Sequence, residues 1–389
     1  MNKIEELILQ LCPNGVDYKE LIEVCSDFIV PMRDRPQIFD GEIPWCRIED
    51  IQKDLIHGSL LGLKVSKQVI SDMNLKVMPK GTVIASCSAS LGRYAITTAP
   101  LITNQTFIGL VCGDELLNRF LLHLLPLKTP ELVASSNSGT IPYISRAKFE
   151  KLRIPVPPIK VQKEIVAILD KFIELEDNLE AELEARKTQY QYFCNSLFTF
   201  KDGETEELAI KDICRISRGT VISKDYLRDR PGEFPVYSSQ TLNNGIFGYI
   251  DTFAYDFESL TWTTDGANAG SIFFHQNEKF TITNVCGLLQ VLDPSRVSAR
   301  YLYYVLRTEA PKHVSAGMGN PKLMAGTMGD VKLRIPSMER QLAVVAILDK
   351  FDALLNDISV GLPAEISARK LQYEYYRNRL LTFSELDVA

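Results

Sequence analysis

The chain has 389 residues, a formal net charge of −6, 46% apolar residues and 24% charged residues. This length provides material for two or three domains with substantial cores, and the composition is that of an ordinary soluble globular protein. Because no stretch approaches about 18 uncharged apolar residues, the sequence excludes a membrane-spanning helix.

The N-terminal sequence and the cysteine spacing indicate where the protein is located and which kinds of site it lacks. Met1 to Glu6 includes acidic residues where a signal peptide would have a basic region and an apolar run, so we expect a cytoplasmic protein. The eight cysteines fall singly, without a Cys-x-x-Cys pair, and the chain has only four histidines. Neither a zinc site nor a disulfide framework is indicated.

The first predicted domain covers residues 1–150. A short helix from Lys3 to Leu11 is followed by a Pro-Asn-Gly turn at Pro13. Short strands are then expected at 43–48, 81–86 and 94–98, before a helical stretch at 116–125.

Residues 151–200 form the first predicted spacer. Its apolar residues recur at intervals of three or four positions, and Glu, Asp, Gln and Lys fill most of the positions between them. This spacing predicts one long helix with a single apolar seam. The seam consists of Ile165, Ile168, Phe172, Leu175, Leu179, Leu183, Tyr190, Phe193 and Leu197.

The second predicted domain covers residues 201–332 and follows the order of the first. Ile102-Thr103-Asn104 matches Ile282-Thr283-Asn284, and Arg119-Phe120-Leu121 matches Arg300-Tyr301-Leu302. Between these anchors the two domains share almost no sequence. We therefore predict two domains of similar fold and different surface.

The second predicted spacer, residues 333–389, repeats the first. Val166 to Phe172 returns letter for letter as Val345 to Phe351, and each copy follows a Leu-Arg-Ile-Pro sequence. Four extra residues near Gly361-Leu362-Pro363 predict a break and a restart of this helix. Two long helices with matching seams most simply pack together as an antiparallel coiled coil, although two unrelated helices, each on its own domain, are the alternative.

The predicted fold class is α+β: two mixed α/β domains related by a pseudo-twofold axis and separated by the paired helices. Such a protein suits a DNA target with two spaced halves, and because the domains differ, the halves should differ. As a helix, Val161 to Leu197 would span roughly 55 Å, which is on the order of 16 base-pair steps.

Several motifs together resemble the specificity subunit of type I restriction-modification systems. They are the segments Cys12 to Tyr18 and Ile154 to Pro158 with Gln162, the Ile-Leu-Asp-Lys-Phe repeats, and Gly361 to Ile366. The segment Pro336 to Gln341 departs from the first copy, because it is two residues shorter and lacks the Pro-Pro pair.

The resemblance implies a non-catalytic subunit with two target recognition domains that bind double-stranded DNA. It implies two modification subunits, which methylate an adenine in each half-site with S-adenosylmethionine, and restriction subunits that add ATP-driven translocation and cleavage. No cofactor is expected on this chain.

The chain's own motifs agree with a non-catalytic role. Val156-Pro157-Pro158-Ile159 lacks the leading amide or acid of an adenine-methylation tetrad, and no Gly-x-x-x-x-Gly-Lys-Ser/Thr phosphate loop occurs. The glycine-containing run from Thr264 to Gly270 has the wrong spacing for a nucleotide loop.

The distribution of charge bears on DNA binding. Lys and Arg number 16 against 11 Asp and Glu over residues 31–160, but 4 against 8 over 161–200 and 15 against 16 over 201–338. The acids concentrate on the first spacer, so we expect it to face solvent or a partner protein. We also expect weak DNA binding by the isolated chain.

Base-reading residues should be Arg, Lys, Asn, Gln, Ser or Thr on exposed loops, although turn residues and ordinary surface charges are the alternative at each position. In the first domain the candidates are Arg33, Arg35, Ser86, Ser88, Ser90 and Arg93. In the second domain they are Ser239, Gln240, Asn243, Thr263, Thr264, Asn268 and Lys322. The run from Thr261 to Asp265 matches Ser86 to Ser90 by position, and Asn137 and Asn320 are candidates for backbone contacts.

Further alternatives remain open from the sequence. Tyr190, Tyr192 and Phe193, with Tyr373, Tyr375 and Tyr376, could stack on nucleic acid, but their helical spacing favours a core or a subunit interface. The whole chain could instead be a protein-binding scaffold with duplicated domains, or the recognition half of a self-contained modification enzyme that acts as a homodimer. The divergence of the two domains favours the reading of two DNA sequences.

Overall fold

The computed structural model describes residues 6, 8, 10–88, 90–134, 142–315, 319–356 and 361–386. The chain divides into two compact units. Unit 1 comprises Met1–Glu180 and Glu365–Ala389, and unit 2 comprises Ala181–Ala364. Each unit thus combines one predicted recognition domain with parts of both predicted spacers.

The described strands and helices are numbered in chain order. The strands are β1 (Tyr18–Glu20), β2 (Cys25–Ile29), β3 (Ile43–Cys46), β4 (Leu55–Ile56), β5 (Lys64–Val65), β6 (Val83–Ser86), β7 (Tyr94–Thr97), β8 (Ile102–Thr103), β9 (Phe107–Cys112), β10 (Arg153–Pro155), β11 (Thr205–Ala209), β12 (Cys214–Arg218), β13 (Phe234–Tyr237), β14 (Ile246–Ile250), β15 (Ser259–Thr263), β16 (Ile272–His275), β17 (Thr281–Ile282), β18 (Cys286–Val291) and β19 (Lys332–Pro336). The helices are α1 (Leu21–Val24), α2 (Lys67–Asp72), α3 (Asn118–Ala134), α4 (Arg146–Glu150), α5 (Ile159–Leu197), α6 (Ile210–Ile213), α7 (Lys224–Asp229), α8 (Ala299–Glu309), α9 (Ala325–Asp330), α10 (Met338–Asn356) and α11 (Leu362–Leu380).

The main sheets of the two units share four strands in the same order, and unit 1 adds β4 at one edge. The strand order is β2-β9-β6-β7-β4 in unit 1 and β12-β18-β15-β16 in unit 2. A smaller sheet accompanies each, with order β5-β3-β8 in unit 1 and β14-β13-β17 in unit 2. A two-stranded ribbon, β1-β10 or β11-β19, leads into the spacer helix. The predicted α+β class is confirmed.

One helix covers each main sheet and supplies much of the core. Phe120, Leu121 and Leu125 of α3 are fully buried, as are Tyr301 and Leu306 of α8. Full burial of a large apolar side chain stabilises a fold by about 1.5–3 kcal/mol. The start of each spacer joins the same cores through side chains with 0–1% exposure, namely Val161, Ile165, Leu169, Val344 and Leu348.

The predicted seam between the spacers is confirmed within each unit. In unit 1 Phe172 of α5 stacks on Tyr376 of α11, with ring centroids 5.2 Å apart. In unit 2 Phe193 of α5 packs against Phe351 of α10 at 5.4 Å. The early part of one spacer therefore meets the late part of the other, which is the antiparallel arrangement.

The helix boundaries refine the predictions. Helix α10 ends at Asn356 and α11 begins at Leu362, so the predicted restart at Gly361-Leu362-Pro363 is confirmed. Helix α3 runs to Ala134 through Pro126 and Pro130, beyond the predicted end at residue 125. The predicted helix from Lys3 to Leu11 lies largely outside the described residues. Within the described part of the chain, no helix is long and apolar enough to cross a membrane.

Candidate nucleic-acid interface

The loops after β6 and β15 are built on one plan. In unit 1 the hydroxyl of Ser86 donates to the carbonyl of Ser90 and accepts from the backbone N–H of Arg93 at 3.2 Å. In unit 2 the hydroxyl of Thr263 donates to the carbonyl of Asn268 and accepts from the N–H of Ser271 at 3.0 Å. The two loops occupy equivalent points of the two sheets, as their sequence positions indicated.

Burial separates the loop residues into two groups. Ser86, Thr263 and Thr264 are at most 2% exposed, and the Thr264 hydroxyl donates to Asp265 at 2.7 Å. In this structure these three hydroxyls hold the loops in shape. Ser90 and Asn268 are exposed, so their side chains are available to a groove edge.

The arginine candidates of unit 1 have different surroundings. Arg33 and Arg93 are exposed, and Arg93 borders a cavity of about 210 Å³. The guanidinium of Arg35 lies over the Trp45 ring at 5.3 Å and near the Phe39 ring at 5.7 Å, and these cation–π contacts fix its position.

The Ser88 loop of unit 1 lies beside a second segment of the unit. Ser88 is half-buried and forms a backbone bridge with Tyr143. Burial raises the pKa of the Tyr143 hydroxyl, and the positive charge of Arg33 opposes that shift. Tyr143 thus lies between the Ser88 loop and the positive charge of Arg33.

The candidates of unit 2 also converge. The amide of Asn268 donates to the Thr241 hydroxyl at 3.2 Å, which joins the loop after β15 to the loop after β13. The Lys322 ammonium lies 3.6 Å from Asp265, and the N–H of Leu323 donates to the Thr264 carbonyl at 2.9 Å. Three separate segments thus form one polar surface.

The loop after β13 presents its residues through an unusual turn. Asn243 and Asn244 have φ of 50° and 53°, in the left-handed region that asparagine tolerates better than most residues. The Gln240 amide donates to the Ile246 carbonyl and Ser239 is half-buried, so Asn243 is the most exposed of the three candidates here. Asn320 is exposed, whereas Asn137 lies outside the described residues.

An ion pair missed by the sequence analysis ties each recognition domain to its spacer. Nε of Arg119 in α3 donates to Asp170 of α5 at 2.8 Å, and Nε of Arg300 in α8 donates to Asp349 of α10 at 2.8 Å. Both aspartates belong to the Ile-Leu-Asp-Lys-Phe repeats. The sequence did mark both arginines, because they belong to a repeated motif, but it did not show that they pair with the aspartates of the spacers.

A third residue completes each cluster. His123 contacts Asp170 at 2.8 Å and the Tyr373 hydroxyl at 2.9 Å, and in unit 2 the Tyr304 hydroxyl donates to Asp349 at 2.5 Å. Burial by itself raises the pKa of Asp170, but the hydrogen bond from His123 and the charge of Arg119 outweigh it, so the pKa lies below the ordinary 3.8.

A fully buried glutamine fixes the start of each spacer. Gln162 accepts from the N–H of Leu117 and donates to the carbonyls of Glu115 and Pro157, at 2.7–2.9 Å. Gln341 makes the same three bonds in unit 2, to Ser298, Arg296 and Pro336, each at 2.9 Å. Since these three bonds are internal to each unit, the glutamine fixes the position of the recognition domain relative to the start of its spacer.

Comparisons with known proteins agree with this architecture. The family model described as type I restriction modification DNA specificity domain matches residues 18–185 and 203–368. The specificity subunit of the Escherichia coli type I restriction enzyme EcoprrI is 30% identical over 340 residues, covering 82% of each chain. That of the Mycoplasma pneumoniae enzyme MpnII is 30% identical over 321 residues, covering 66% of this chain and 96% of that one.

Solved structures share the fold. The type I specificity subunit of M. genitalium superposes with a TM-score of 0.60 at 16% identity, covering 95% of this chain and 97% of that one. A chain from a structure of type I complex assembly and conformational transition gives 0.63 at 17% identity, with 95% and 98% coverage.

Proposed function

We propose, since this chain belongs to the type I restriction modification DNA specificity family, that each of its two units reads one half of a bipartite and asymmetric DNA site. The observation that carries the proposal is the pair of equivalent loops with different side chains. A buried hydroxyl shapes each loop, but the loop exposes Ser90 and Arg93 in unit 1 and Asn268 in unit 2. Equivalent scaffolds with unlike donors and acceptors suit unlike base sequences.

The spacers support docking of two copies of one partner. Arg186 bonds Glu182 and Gln189, and Arg369 bonds Glu365 and Gln372, so the two spacers repeat one polar arrangement. Tyr192 and Tyr375, which occupy matching positions, are 70% and 57% exposed. A repeated exposed surface fits two identical modification subunits.

The chemistry is assigned to the partner subunits. In this proposal the modification subunits bind S-adenosylmethionine and methylate one adenine in each half-site, and restriction subunits, where present, use ATP to translocate and cleave DNA. This chain contributes recognition and the spacing between the two reading surfaces.

Single-molecule modification sequencing tests the proposal. Cells that express the chain with its modification subunit should acquire adenine methylation at a split motif with two unlike halves, and cells without the chain should lack it. Methylation that is independent of the chain, or the absence of any split motif, would favour a protein-binding scaffold.

A further inference from the structure

Two cysteines face each other across neighbouring strands of unit 1. Cys25 begins β2 and Cys112 ends β9, and the register of this antiparallel pair sets them directly opposite each other. The N–H of Gly113 donates to the Val24 carbonyl at 2.8 Å, between the residues immediately outside the two cysteines. That bond makes Cys25 and Cys112 a non-hydrogen-bonded pair, in which opposite Cα atoms lie about 4.5 Å apart.

This geometry suits a disulfide. The Cα atoms of disulfide-bonded cysteines lie about 4.4–6.8 Å apart, so the backbone needs no large movement. The side chains already interact, because hydrogen bonding with the Cys25 thiol is the largest cause that raises the pKa of the Cys112 thiol, ahead of burial. The register shifts between Cys25 and Asp27, and such a bulge lets β2 twist as a sulfur–sulfur bond forms.

Exposure distinguishes these two thiols from the rest. Cys25 and Cys112 are half-buried, whereas the other six cysteines of the chain are buried. Strand β2 is an edge strand of its sheet among the described residues, so no neighbouring strand covers its outer side. A small oxidant can therefore reach this pair without unfolding the core.

Unit 2 has the same local structure with one thiol instead of two. Cys214 begins β12, and the residue opposite it in β18 is Val291. The N–H of Leu292 donates to the Ile213 carbonyl at 2.9 Å, which matches the flanking bond of unit 1. The chain thus contains its own comparison, because an isopropyl group stands in unit 2 where unit 1 has its second thiol.

We propose that Cys25 and Cys112 form a reversible disulfide by exchange with oxidised glutathione, so that unit 1 carries a redox modification site that unit 2 lacks. The Cys25 thiolate attacks one sulfur of oxidised glutathione and displaces the first glutathione. The Cys112 thiolate then attacks Sγ of Cys25 and displaces the second. Two protein thiols are oxidised, one glutathione disulfide is reduced, and the two thiol protons end on the two released glutathiones.

The interaction between the two sulfurs favours this order of steps. Before the reaction, hydrogen bonding with Cys25 and the charge of Cys25 both raise the pKa of Cys112, as burial also does. In the mixed disulfide, Cys25 carries neither a thiol proton nor a charge, so only burial remains of these three causes. Cys112 then loses its proton more readily.

The disulfide would join two segments that hold the start of the first spacer. The N–H of Leu21, four residues before Cys25, donates to the Leu152 carbonyl at 3.0 Å, and the Glu115 carbonyl, three residues after Cys112, accepts from Gln162 of α5 at 2.7 Å. The bond also closes a long loop in the unfolded chain. Because that closure lowers the entropy of the unfolded state, we expect the melting temperature to rise by about 5–10 °C.

Peptide mapping without reduction tests the proposal on the full chain. The folded chain is incubated with oxidised glutathione, its remaining thiols are alkylated, and the digest is analysed by mass spectrometry. We expect a peptide pair linked through Cys25 and Cys112, with a higher melting temperature, and reversal of both by dithiothreitol. The proposal is overturned if no linked peptide forms, if a glutathione adduct persists at Cys25, or if the link forms only after denaturation in urea.

Two variants exchange the local chemistry of the units. Cys112→Val gives unit 1 the pair found in unit 2, so oxidised glutathione should leave its melting temperature unchanged. Val291→Cys is the converse, and it should form a link with Cys214, more slowly because Cys214 is buried. An oxidation-dependent rise in Cys112→Val equal to that of the wild type, or no link in Val291→Cys, would contradict the geometric argument. The linked peptide of the wild-type chain decides the question even if a variant is unstable.

Discussion

At the residue scale, one carboxylate in each spacer repeat holds a recognition domain in place. Asp170 receives Arg119 and His123, and Asp349 receives Arg300 and Tyr304. Breaking a half-buried pair leaves the remaining charge without compensation, so these residues matter to the domain's position relative to its spacer.

The lowered pKa of Asp170 predicts a specific pH dependence for the variant Asp170→Asn. A carboxyl whose pKa is lower in the folded chain than in the unfolded chain, where it is ordinarily 3.8, stabilises the fold at pH values above 3.8. That stabilisation is lost as the pH falls through the lower pKa of the folded chain. The melting temperature of the wild type should exceed that of Asp170→Asn near pH 5, and the margin should shrink as the pH falls through the range in which Asp170 takes up its proton. Asp202→Asn, at an exposed turn, is the control. A margin that stays constant or grows in acid would refute the assignment.

The buried loop hydroxyls give a second prediction. Ser86→Ala removes both the donor to the Ser90 carbonyl and the acceptor for the Arg93 N–H, and the loss of two hydrogen bonds costs about 1–3 kcal/mol. Chemical denaturation should show a loss of this size for Ser86→Ala, and Thr263→Val should behave alike. Ser90→Ala should change the free energy of unfolding by less than about 0.5 kcal/mol, because Ser90 uses its backbone carbonyl in this bond. Equal losses for Ser86→Ala and Ser90→Ala would be inconsistent with a loop-closing hydroxyl.

The sequence could locate the loops but could not show which of their residues are buried and which are exposed. Alternating residue types marked Ser86, Ser88 and Ser90 alike, and only the fold shows that the first is buried. The Arg119–Asp170 pair was also beyond sequence reasoning, because helical periodicity relates near neighbours while these residues meet only through tertiary packing.

At the scale of elements, the spacer helices were the most predictable part of the chain. Their apolar period and their repeat predicted the seam, and Phe172 on Tyr376 confirms it. Helix α3 was less predictable, because Pro126 and Pro130 ordinarily mark an end and here lie inside the helix. Strand β4 could not be predicted, because two residues carry no periodicity.

Truncation of the seam should destabilise the unit that contains it. Phe172 is half-buried, so Phe172→Ala should lower the free energy of unfolding by about 2 kcal/mol, less than the 3–5 kcal/mol of a fully buried phenylalanine. Tyr192→Ala is the control, because Tyr192 is 70% exposed and should lose less than about 0.5 kcal/mol. Similar losses at both positions by thermal or denaturant unfolding would argue against a seam.

The repeated arginines of the spacers should serve assembly. Arg186→Ala combined with Arg369→Ala should weaken binding of the modification subunit, measured by size exclusion or calorimetry, and should leave the methylated motif unchanged. The effect is expected because both side chains lie on the helix surface, where each bonds two neighbours on its own helix among the described residues. An altered motif with intact assembly would count against this role.

At the scale of the whole molecule, two units with the same plan and different exposed side chains make up one chain. The internal repeat predicted this duplication, and the matched strand orders confirm it. The length of DNA between the two reading surfaces stays a prediction, as do the individual base contacts. The base contacts depend on where the side chains lie within each loop, and this placement differs between two domains that have the same scaffold.

Independent reading by the two units is the central claim, and the methylated motif of paired variants tests it most directly. Single-molecule sequencing would compare two double variants. One combines Asn243→Ala and Asn268→Ala in unit 2, and the other combines Ser90→Ala and Arg93→Ala in unit 1. The first pair should relax one half of the motif, the second pair should relax the other half, and the number of intervening bases should stay the same. If either pair altered both halves or the intervening length, the two units would not be separate readers.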